Sequence, residues 1–81
     1  MASISIKTAK ELYGGTTESE TAKKMAQAGG FQKIYKYAND YGDHKTHTDY
    51  KQIHGGTDEE AFLRSRNIHN VVLVYDASKD R

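Results

Sequence analysis

The pattern of hydrophobic and polar residues is clearest at the two ends of the chain. Residues 3–7 read Ser-Ile-Ser-Ile-Lys, and this alternation of small polar residues with isoleucine has the period of a β-strand. Residues 71–76 read Val-Val-Leu-Val-Tyr-Asp, a β-branched apolar run that is short for a helix. A continuous apolar run is typical of a strand that is buried on both faces. The pattern therefore predicts that residues 71–76 form a central strand beside residues 3–7.

Two segments of the chain repeat the order Gly-Gly-Thr, acidic residues, apolar residues and basic residues. Thr17 starts Thr-Glu-Ser-Glu and Thr57 starts Thr-Asp-Glu-Glu. Both match a capping box, in which the threonine hydroxyl accepts a hydrogen bond from the amide three residues later. Acidic residues in the first turn are also favoured by the helix dipole. We therefore predict helices over residues 17–28 and 58–67, with Phe62 on the buried side of the second.

The glycine pairs before these helices could also belong to a phosphate-binding loop. Such a loop has a glycine-rich backbone followed by Lys and then Ser or Thr. Both first turns carry carboxylates instead, at Glu18 and Glu20 and at residues 58–60. These carboxylates would repel a phosphate at the helix N-terminus. We therefore interpret the glycines as turns that lead the chain into each helix.

The middle of the chain, residues 31–54, fits two interpretations. The apolar residues of segment 31–38 recur at helical spacing. After residue 45, charged residues and histidine alternate with Thr and Tyr, which is the period of a strand. Between these parts, Asn-Asp-Tyr-Gly-Asp at residues 39–43 has the composition of a turn. The pattern favours a β-hairpin over two short helices.

The predicted elements give an α+β fold in the order β-α-β-β-α-β, which is the ferredoxin-like arrangement. In that arrangement we expect the first and last strands to be central neighbours, with both helices on one face of the sheet and the other face open. If the middle is helical, the alternative is a mostly helical domain in which residues 3–7 and 71–76 form a two-stranded sheet. RNA-recognition-motif domains share the first topology, but their aromatic residues are missing from residues 3–7 and reduced to Tyr50 in the third strand.

Length and composition limit the class of protein. The 81 residues correspond to a single domain, 1–81, and 12 basic against 11 acidic residues give a net charge of only +1. A dedicated nucleic-acid-binding domain usually has a clear basic excess. No cysteine is present, which excludes disulfides and thiol chemistry. Because the N-terminus lacks the apolar core of a signal peptide and no apolar run approaches a membrane span, we expect a cytoplasmic protein without a membrane partner.

Histidine and aspartate residues cluster in the second half of the predicted hairpin, at His44, His47, Asp49 and His54. On a strand, His44 and His47 point to opposite faces, and no cysteine completes a zinc-binding pattern. We therefore predict no metal and no cofactor. His47 and His54 as base and acid, with Lys51 to stabilise charge, would suit metal-independent RNA cleavage. This ribonuclease is a minor alternative to a protein that is not an enzyme.

Tyrosine and lysine side chains interleave along the predicted hairpin. Interleaving of this kind suits single-stranded nucleic acid, because bases stack on aromatic rings while cations contact phosphates. It also suits a protein interface, where tyrosine is enriched, and in a leucine-poor chain some tyrosines must fill the core. The predicted binding residues are Lys33, Tyr35, Lys36, Tyr37, Tyr41, Lys45, Tyr50 and Lys51.

The sequence therefore predicts a small non-enzymatic protein that binds RNA, or another single-stranded nucleic acid, through this hairpin. The alternative is a protein-interaction or inhibitor module. The composition, which lacks Cys, Pro and Trp and includes six tyrosines, resembles that of small accessory proteins of bacteriophages. This resemblance implies action by binding, either to RNA or to a host protein that is thereby blocked. The sequence leaves the formation of a homo-oligomer open.

Overall fold

The computed structural model describes residues 3–40, 46–65 and 67–79. In these ranges the chain forms three helices and one four-stranded antiparallel sheet, which establishes a small α+β domain. The elements in chain order are β1 (Ser3–Ser5), α1 (Ile6–Tyr13), α2 (Glu18–Gly29), β2 (Lys33–Asp40), β3 (Thr46–Ile53), α3 (Thr57–Leu63) and β4 (Ile68–Asp76).

The hairpin predicted for the middle of the chain is confirmed. Strands β2 and β3 pair antiparallel along their whole length, with Lys33 opposite Ile53 and Asp40 opposite Thr46. Residues 41–43 of the predicted turn lie outside the described residues. The two hairpin strands occupy the centre of the sheet, whose strand order is β1-β3-β2-β4. A mostly helical domain is therefore excluded.

The predicted position of the last strand is wrong. Strand β4 pairs with β2 and strand β1 pairs with β3, so the first and last strands lie at opposite edges of the sheet rather than side by side. The ferredoxin-like order is accordingly not confirmed. Strand β1 has only three residues and offers a short edge, whereas the eight-residue strand β2 can pair with most of the nine-residue strand β4. Strand β4 therefore lies beside β2, and β1 lies beside β3.

Helix α1 was not predicted, because residues 3–7 were assigned to a strand. Strand β1 stops at Ser5, whose side chain accepts a hydrogen bond from the Thr8 amide at 3.1 Å and caps the helix. Ile6, Ala9 and Tyr13 then recur at helical spacing and pack against the core. The alternation of Ser and Ile was too short to exclude a helix that begins within it.

Helix α2 confirms the first predicted helix. Thr17 is its N-cap, and the Thr17 hydroxyl accepts a hydrogen bond from the Glu20 amide at 3.1 Å. The Glu20 carboxylate reaches back to Thr16, whose hydroxyl donates to it at 2.8 Å, rather than to the Thr17 amide. At the other end, the helix continues to Gly29, one residue beyond its predicted end at residue 28. Gly30 then adopts the left-handed conformation that closes the helix.

Helix α3 is shorter than predicted, and its predicted capping box is wrong. Gly56 occupies the N-cap position and Thr57 is already the first helical residue, so within the described chain this helix has no side-chain cap. A threonine caps a helix only from the extended N-cap position. Thr57 is instead the first residue with helical conformation, so its hydroxyl cannot take that role. Phe62 is buried as expected, and the helix ends at Leu63 rather than at residue 67.

Both faces of the sheet are covered, contrary to the prediction that the helices share one face. Helices α1 and α2 cover the first face, where the buried core consists of Ala9, Ala22, Met25, Ala26, Ile34 and Tyr50. Helix α3 covers part of the second face, where the buried cluster consists of Tyr35, Tyr37, Ile53 and Phe62. The alternation of the hairpin strands places apolar or aromatic side chains on both faces, and each face therefore needs its own cover.

Candidate functional site

The hairpin tyrosines predicted to bind a ligand lie inside the domain. Tyr35 and Tyr37 are buried against Phe62 of α3, with ring centroids 5.7 Å and 4.9 Å from the Phe62 ring. Tyr50 is buried on the opposite face, under α1 and α2. Tyr41 falls outside the described residues. The three described tyrosines therefore contribute to the two cores, in agreement with the interpretation that some tyrosines replace leucine.

The hairpin lysines are engaged in different ways. Lys33 forms an ion pair with Glu59 of α3 at 2.9 Å, and Lys36 forms one with Glu18 of α2 at 2.7 Å. Lys51 is buried on the α3 face, and Lys45 falls outside the described residues. The structure therefore divides the six described residues of the predicted site between two faces of the sheet. It does not bring them together on one surface.

One carboxylate connects α3 to the hairpin. Glu59 accepts a hydrogen bond from the Tyr35 hydroxyl at 2.6 Å in addition to its ion pair with Lys33. The hydrogen bond from Tyr35 lowers the pKa of Glu59 most, and the hydrogen bond from Lys33 is the next largest cause. Burial, reinforced by Glu59, raises the pKa of Tyr35 to about 12. Glu59 is therefore ionised and Tyr35 protonated at neutral pH, as an anchor for α3 requires.

Two charged residues of the central strand β3, two positions apart on the same face of the sheet, are buried. Asp49 is 4% exposed and Lys51 is 6% exposed. They face Tyr37 and Tyr35 across the hairpin and Ser5 and Ser3 of β1 on the other side. Burial raises the pKa of Asp49 and lowers the pKa of Lys51. Both shifts oppose the charged forms, so this pair makes a pH-dependent contribution to stability.

The residues suggested for ribonuclease chemistry do not converge. His47 and Lys51 lie four positions apart on β3, which corresponds to about 13 Å along a strand at about 3.3 Å per residue. His54 follows the strand and packs on Phe31, with ring centroids 4.7 Å apart. His44 is outside the described residues. In the ranges that the structure describes, no group of three His, Cys, Asp or Glu side chains is arranged to hold a metal ion.

Two exposed large apolar side chains are neighbours on β4, where no binding site was predicted. Val72 is 50% exposed and Leu73 is 37% exposed. Next to them a groove of about 630 Å³ runs between the N-terminal half of α2 and the second half of β4. We call it the β4–α2 groove, and its lining residues are Thr17, Ser19, Glu20, Lys23, Leu73, Val74, Tyr75, Asp76 and Lys79.

The β4–α2 groove carries both signs of charge. Hydrogen bonds from Thr16 lower the pKa of Glu20, and hydrogen bonds from Ser78 lower the pKa of Asp76, so both carboxylates are ionised at neutral pH. Lys23 and Lys79 also line the groove and supply cations. A polyanion would therefore meet two carboxylates here, whereas a segment with polar, apolar and mixed charged groups would find partners for each.

Strand β4 is also irregular. Its pairing with β2 shifts register twice, between Ile34 and Tyr35 and between Lys36 and Ala38. Asn70, within the strand, has a positive φ of 54°. Bulges of this kind twist an edge strand and hinder indiscriminate pairing with other chains. A segment that pairs with this edge must therefore match the bulged backbone of β4.

Comparisons with known proteins add no functional information. No family model, no curated protein and no solved structure matches the chain. Among the helices in the described ranges, none has the length and apolar character needed to cross a membrane. The function must therefore be inferred from the geometry of the domain.

Proposed function

We propose that this domain is a non-enzymatic protein-interaction module that binds an extended segment of a partner protein along β4. The observation that carries the proposal is the position of this long apolar strand at the edge of the sheet, where Val72 and Leu73 face solvent. An edge strand presents backbone N–H and C=O groups on its outer side. An added strand hydrogen-bonds to these groups, as in other complexes formed by strand addition.

The β4–α2 groove would supply specificity to this interaction. Backbone hydrogen bonds of an added strand give affinity without reading sequence, and pockets for alternate side chains select the partner. The groove runs beside Leu73 and Tyr75 and is walled by the first turns of α2. Its volume of about 630 Å³ is sufficient for side chains of a bound segment. Its hydroxyl groups and mixed charges favour a polar or zwitterionic segment over a nucleic acid.

RNA binding through the hairpin stays a prediction. Base stacking requires exposed aromatic rings, whereas Tyr35, Tyr37 and Tyr50 are buried. Phosphate binding by Lys33 or Lys36 would compete with the Glu59 and Glu18 ion pairs. These contacts favour the protein-interaction alternative over RNA at the described part of the hairpin.

The proposal can be tested by selecting extended peptides from a displayed library of random short sequences. The affinity of each synthesised peptide is then measured for the wild-type domain, for Val72→Lys with Leu73→Lys, and for the control Leu12→Lys. Leu12 is 66% exposed on α1, away from β4, so the control introduces the same chemical change on an unrelated surface. A lysine at an edge position opposes strand addition.

We expect selected peptides to lose about tenfold or more in affinity for the β4 double variant, a change of about 1.4 kcal/mol, and to bind the Leu12 variant like wild type. Equal binding to all three proteins would overturn the assignment to β4. If no peptide is selected while RNA is retained at low ionic strength and released by salt, the nucleic-acid alternative is correct instead.

A further inference from the structure

Strand β4 carries an exposed apolar side chain and an apolar recess on the same face of the sheet. Val72 stands opposite Lys36 of β2, and the Lys36 side chain reaches Glu18 of α2. Because opposite residues of an antiparallel pair point to the same face, Val72 lies on the α2 face. Val74 and Tyr75 pack against the core of that face and line the β4–α2 groove. Val72 is 50% exposed, so it projects beside a groove that its own strand helps to form.

A projection and a recess on one strand suit pairing between two copies of that strand. Most oligomers of soluble proteins are closed two-fold dimers, in which the same surface patch of both copies meets itself. When two β4 strands pair antiparallel around a two-fold axis, residues at equal distances before and after the axis stand opposite each other. The projection of each copy then meets the recess of the other if the axis passes at Leu73, which lies between Val72 and Val74.

An axis at Leu73 also matches the chemistry of the remaining pairs. Val72 then stands opposite Val74 of the second copy, so each exposed valine covers the apolar lining of the other copy's groove. Asn70 stands opposite Asp76 of the second copy, and an amide donor therefore meets a carboxylate acceptor. The two register shifts of β4 lie on either side of Val72 and Leu73, so the strand is regular where the axis passes.

Asp76 is able to accept this additional hydrogen bond. The Ser78 hydroxyl and amide donate to Asp76 Oδ1 at 2.7 Å and 3.0 Å and lower the pKa of Asp76, so the carboxylate is ionised at neutral pH. An ionised carboxylate has about four acceptor positions on its two oxygens. Asn70 is exposed, and its side-chain amide supplies N–H donors. The contact with Asn70 therefore adds to the Ser78 contacts rather than replacing them.

Neighbouring positions of the axis give poorer matches. An axis at Val72 would place Ile68 opposite Asp76 of the second copy. An axis at Val74 would place Val72 opposite Asp76 of the second copy. Covering a charged group with an apolar side chain that offers no hydrogen bond is unfavourable. Among these three registers, only the axis at Leu73 pairs apolar side chains with apolar ones and polar side chains with polar ones.

We propose that β4 pairs antiparallel with β4 of a second copy of this chain, around a two-fold axis at Leu73, so that two four-stranded sheets join into one. This inference rests on the proposed function, since the second copy is one particular extended partner of the same edge. The net charge of +1 leaves little repulsion between copies. An interface of one strand and one groove is small, and we expect a reversible dimer with a Kd in the micromolar range. Well below that Kd the edge is free, and a selected peptide meets it in this state.

The test uses single-cysteine variants of the full chain, which has no cysteine of its own. With the axis at Leu73, the two copies of residue 73 stand about 4.5–5.5 Å apart at Cα, within reach of a disulfide. The two copies of residue 72 are diagonal neighbours, about 7–8 Å apart and too distant for a relaxed bridge. With oxidised glutathione, Leu73→Cys should form a linked dimer about tenfold faster than Val72→Cys. Leu12→Cys, at the exposed position on α1, measures the rate of random encounter.

An exchange of polar groups tests the same register without cysteine. Asn70→Asp places two carboxylates opposite each other on both sides of the axis and should weaken dimerisation about three- to tenfold in sedimentation equilibrium. Adding Asp76→Asn restores an amide opposite a carboxylate and should return the Kd to within about twofold of wild type. The two positions are about 20 Å apart within one strand, so this rescue reports a contact between copies.

Three results would overturn the proposal. A wild-type chain that sediments as a monomer up to about 1 mM would exclude self-pairing, and a selected peptide that still binds β4 would then leave the proposed function standing. Faster linkage of Val72→Cys than of Leu73→Cys would place the axis at the wrong residue. A dimer that persists in the β4 double lysine variant and is lost in Leu12→Lys would place the interface on α1 instead.

Discussion

The two Gly-Gly-Thr turns look alike in sequence, but the structure predicts different consequences for substituting their threonines. The Thr17 hydroxyl accepts a 3.1 Å hydrogen bond from the Glu20 amide, whereas Thr57 lies inside α3 and makes no capping bond there. Loss of a threonine N-cap costs typically about 1 kcal/mol. We therefore expect Thr17→Ala to lower the free energy of unfolding by about 1 kcal/mol. Thr57→Ala should change it by less than about 0.5 kcal/mol, as is usual for exposed positions without such a role.

Urea and thermal melts followed by circular dichroism measure both changes. For a small domain, 1 kcal/mol corresponds to a shift of about 4–8 °C in Tm and, with a urea m value of about 1 kcal/mol/M, to about 1 M in the urea midpoint. The m value should be unchanged in both variants, because neither substitution alters the buried surface. Equal losses in the two variants, or no loss in Thr17→Ala, would refute the reasoning that Thr17 caps α2 whereas Thr57 does not cap α3.

Three further predictions concern turn geometry and buried charge. Gly15→Ala should lower Tm more than Gly30→Ala, because both glycines have positive φ but only at Gly15 would a Cβ collide, 2.7 Å from a threonine hydroxyl. Asp49→Asn should become more stable relative to wild type as pH rises above 3.8, measured by urea melts across pH. The raised pKa of Asp49 means that the folded carboxyl holds its proton longer, so its contribution to stability falls with rising pH. Glu59→Gln should destabilise the domain more than Glu60→Gln, whose exposed ion pair is weak. Because the pKa of Glu59 is lowered, its contribution is lost as pH falls through and below 4.5, so melts of Glu59→Gln and wild type should converge in acid.

Features specified by nearby residues could be predicted from the sequence. Thr17 lies three residues before Glu20, and this capping-box spacing predicted the cap of α2. The strand period after residue 45 and the turn composition before it defined the hairpin. The same reasoning failed at Thr57, because Gly56 takes the N-cap position and the difference depends on one backbone conformation.

Features that depend on which elements become neighbours could not be predicted in the same way. An apolar run such as residues 71–76 has the same pattern in a central strand and in an exposed edge strand, because the pattern shows apolar side chains and not which neighbouring elements cover them. For Lys51 the burial was missed. Its position in an alternating polar segment is typical of a solvent-exposed side chain, but the central position of β3 buries Lys51 between β1 and β2.

The candidate site was missed for the same reason. Interleaved Tyr and Lys residues directed attention to the hairpin, where period-two alternation sends Tyr35 and Lys36 to opposite faces. The exposure of Val72 and Leu73 follows from sheet order, which no local signal in the sequence encodes.

Hydrogen exchange of the backbone amides, with and without a selected peptide, tests the central claim most directly. Strand addition protects the amides of β4 that point away from β2, and those amides should exchange quickly in the free domain. We predict that peptide binding slows amide exchange in residues 71–76, with little change in β1 at the opposite edge, and that the β4 double variant loses this protection. Protection centred on the β2–β3 hairpin, with β4 unchanged, would contradict the account.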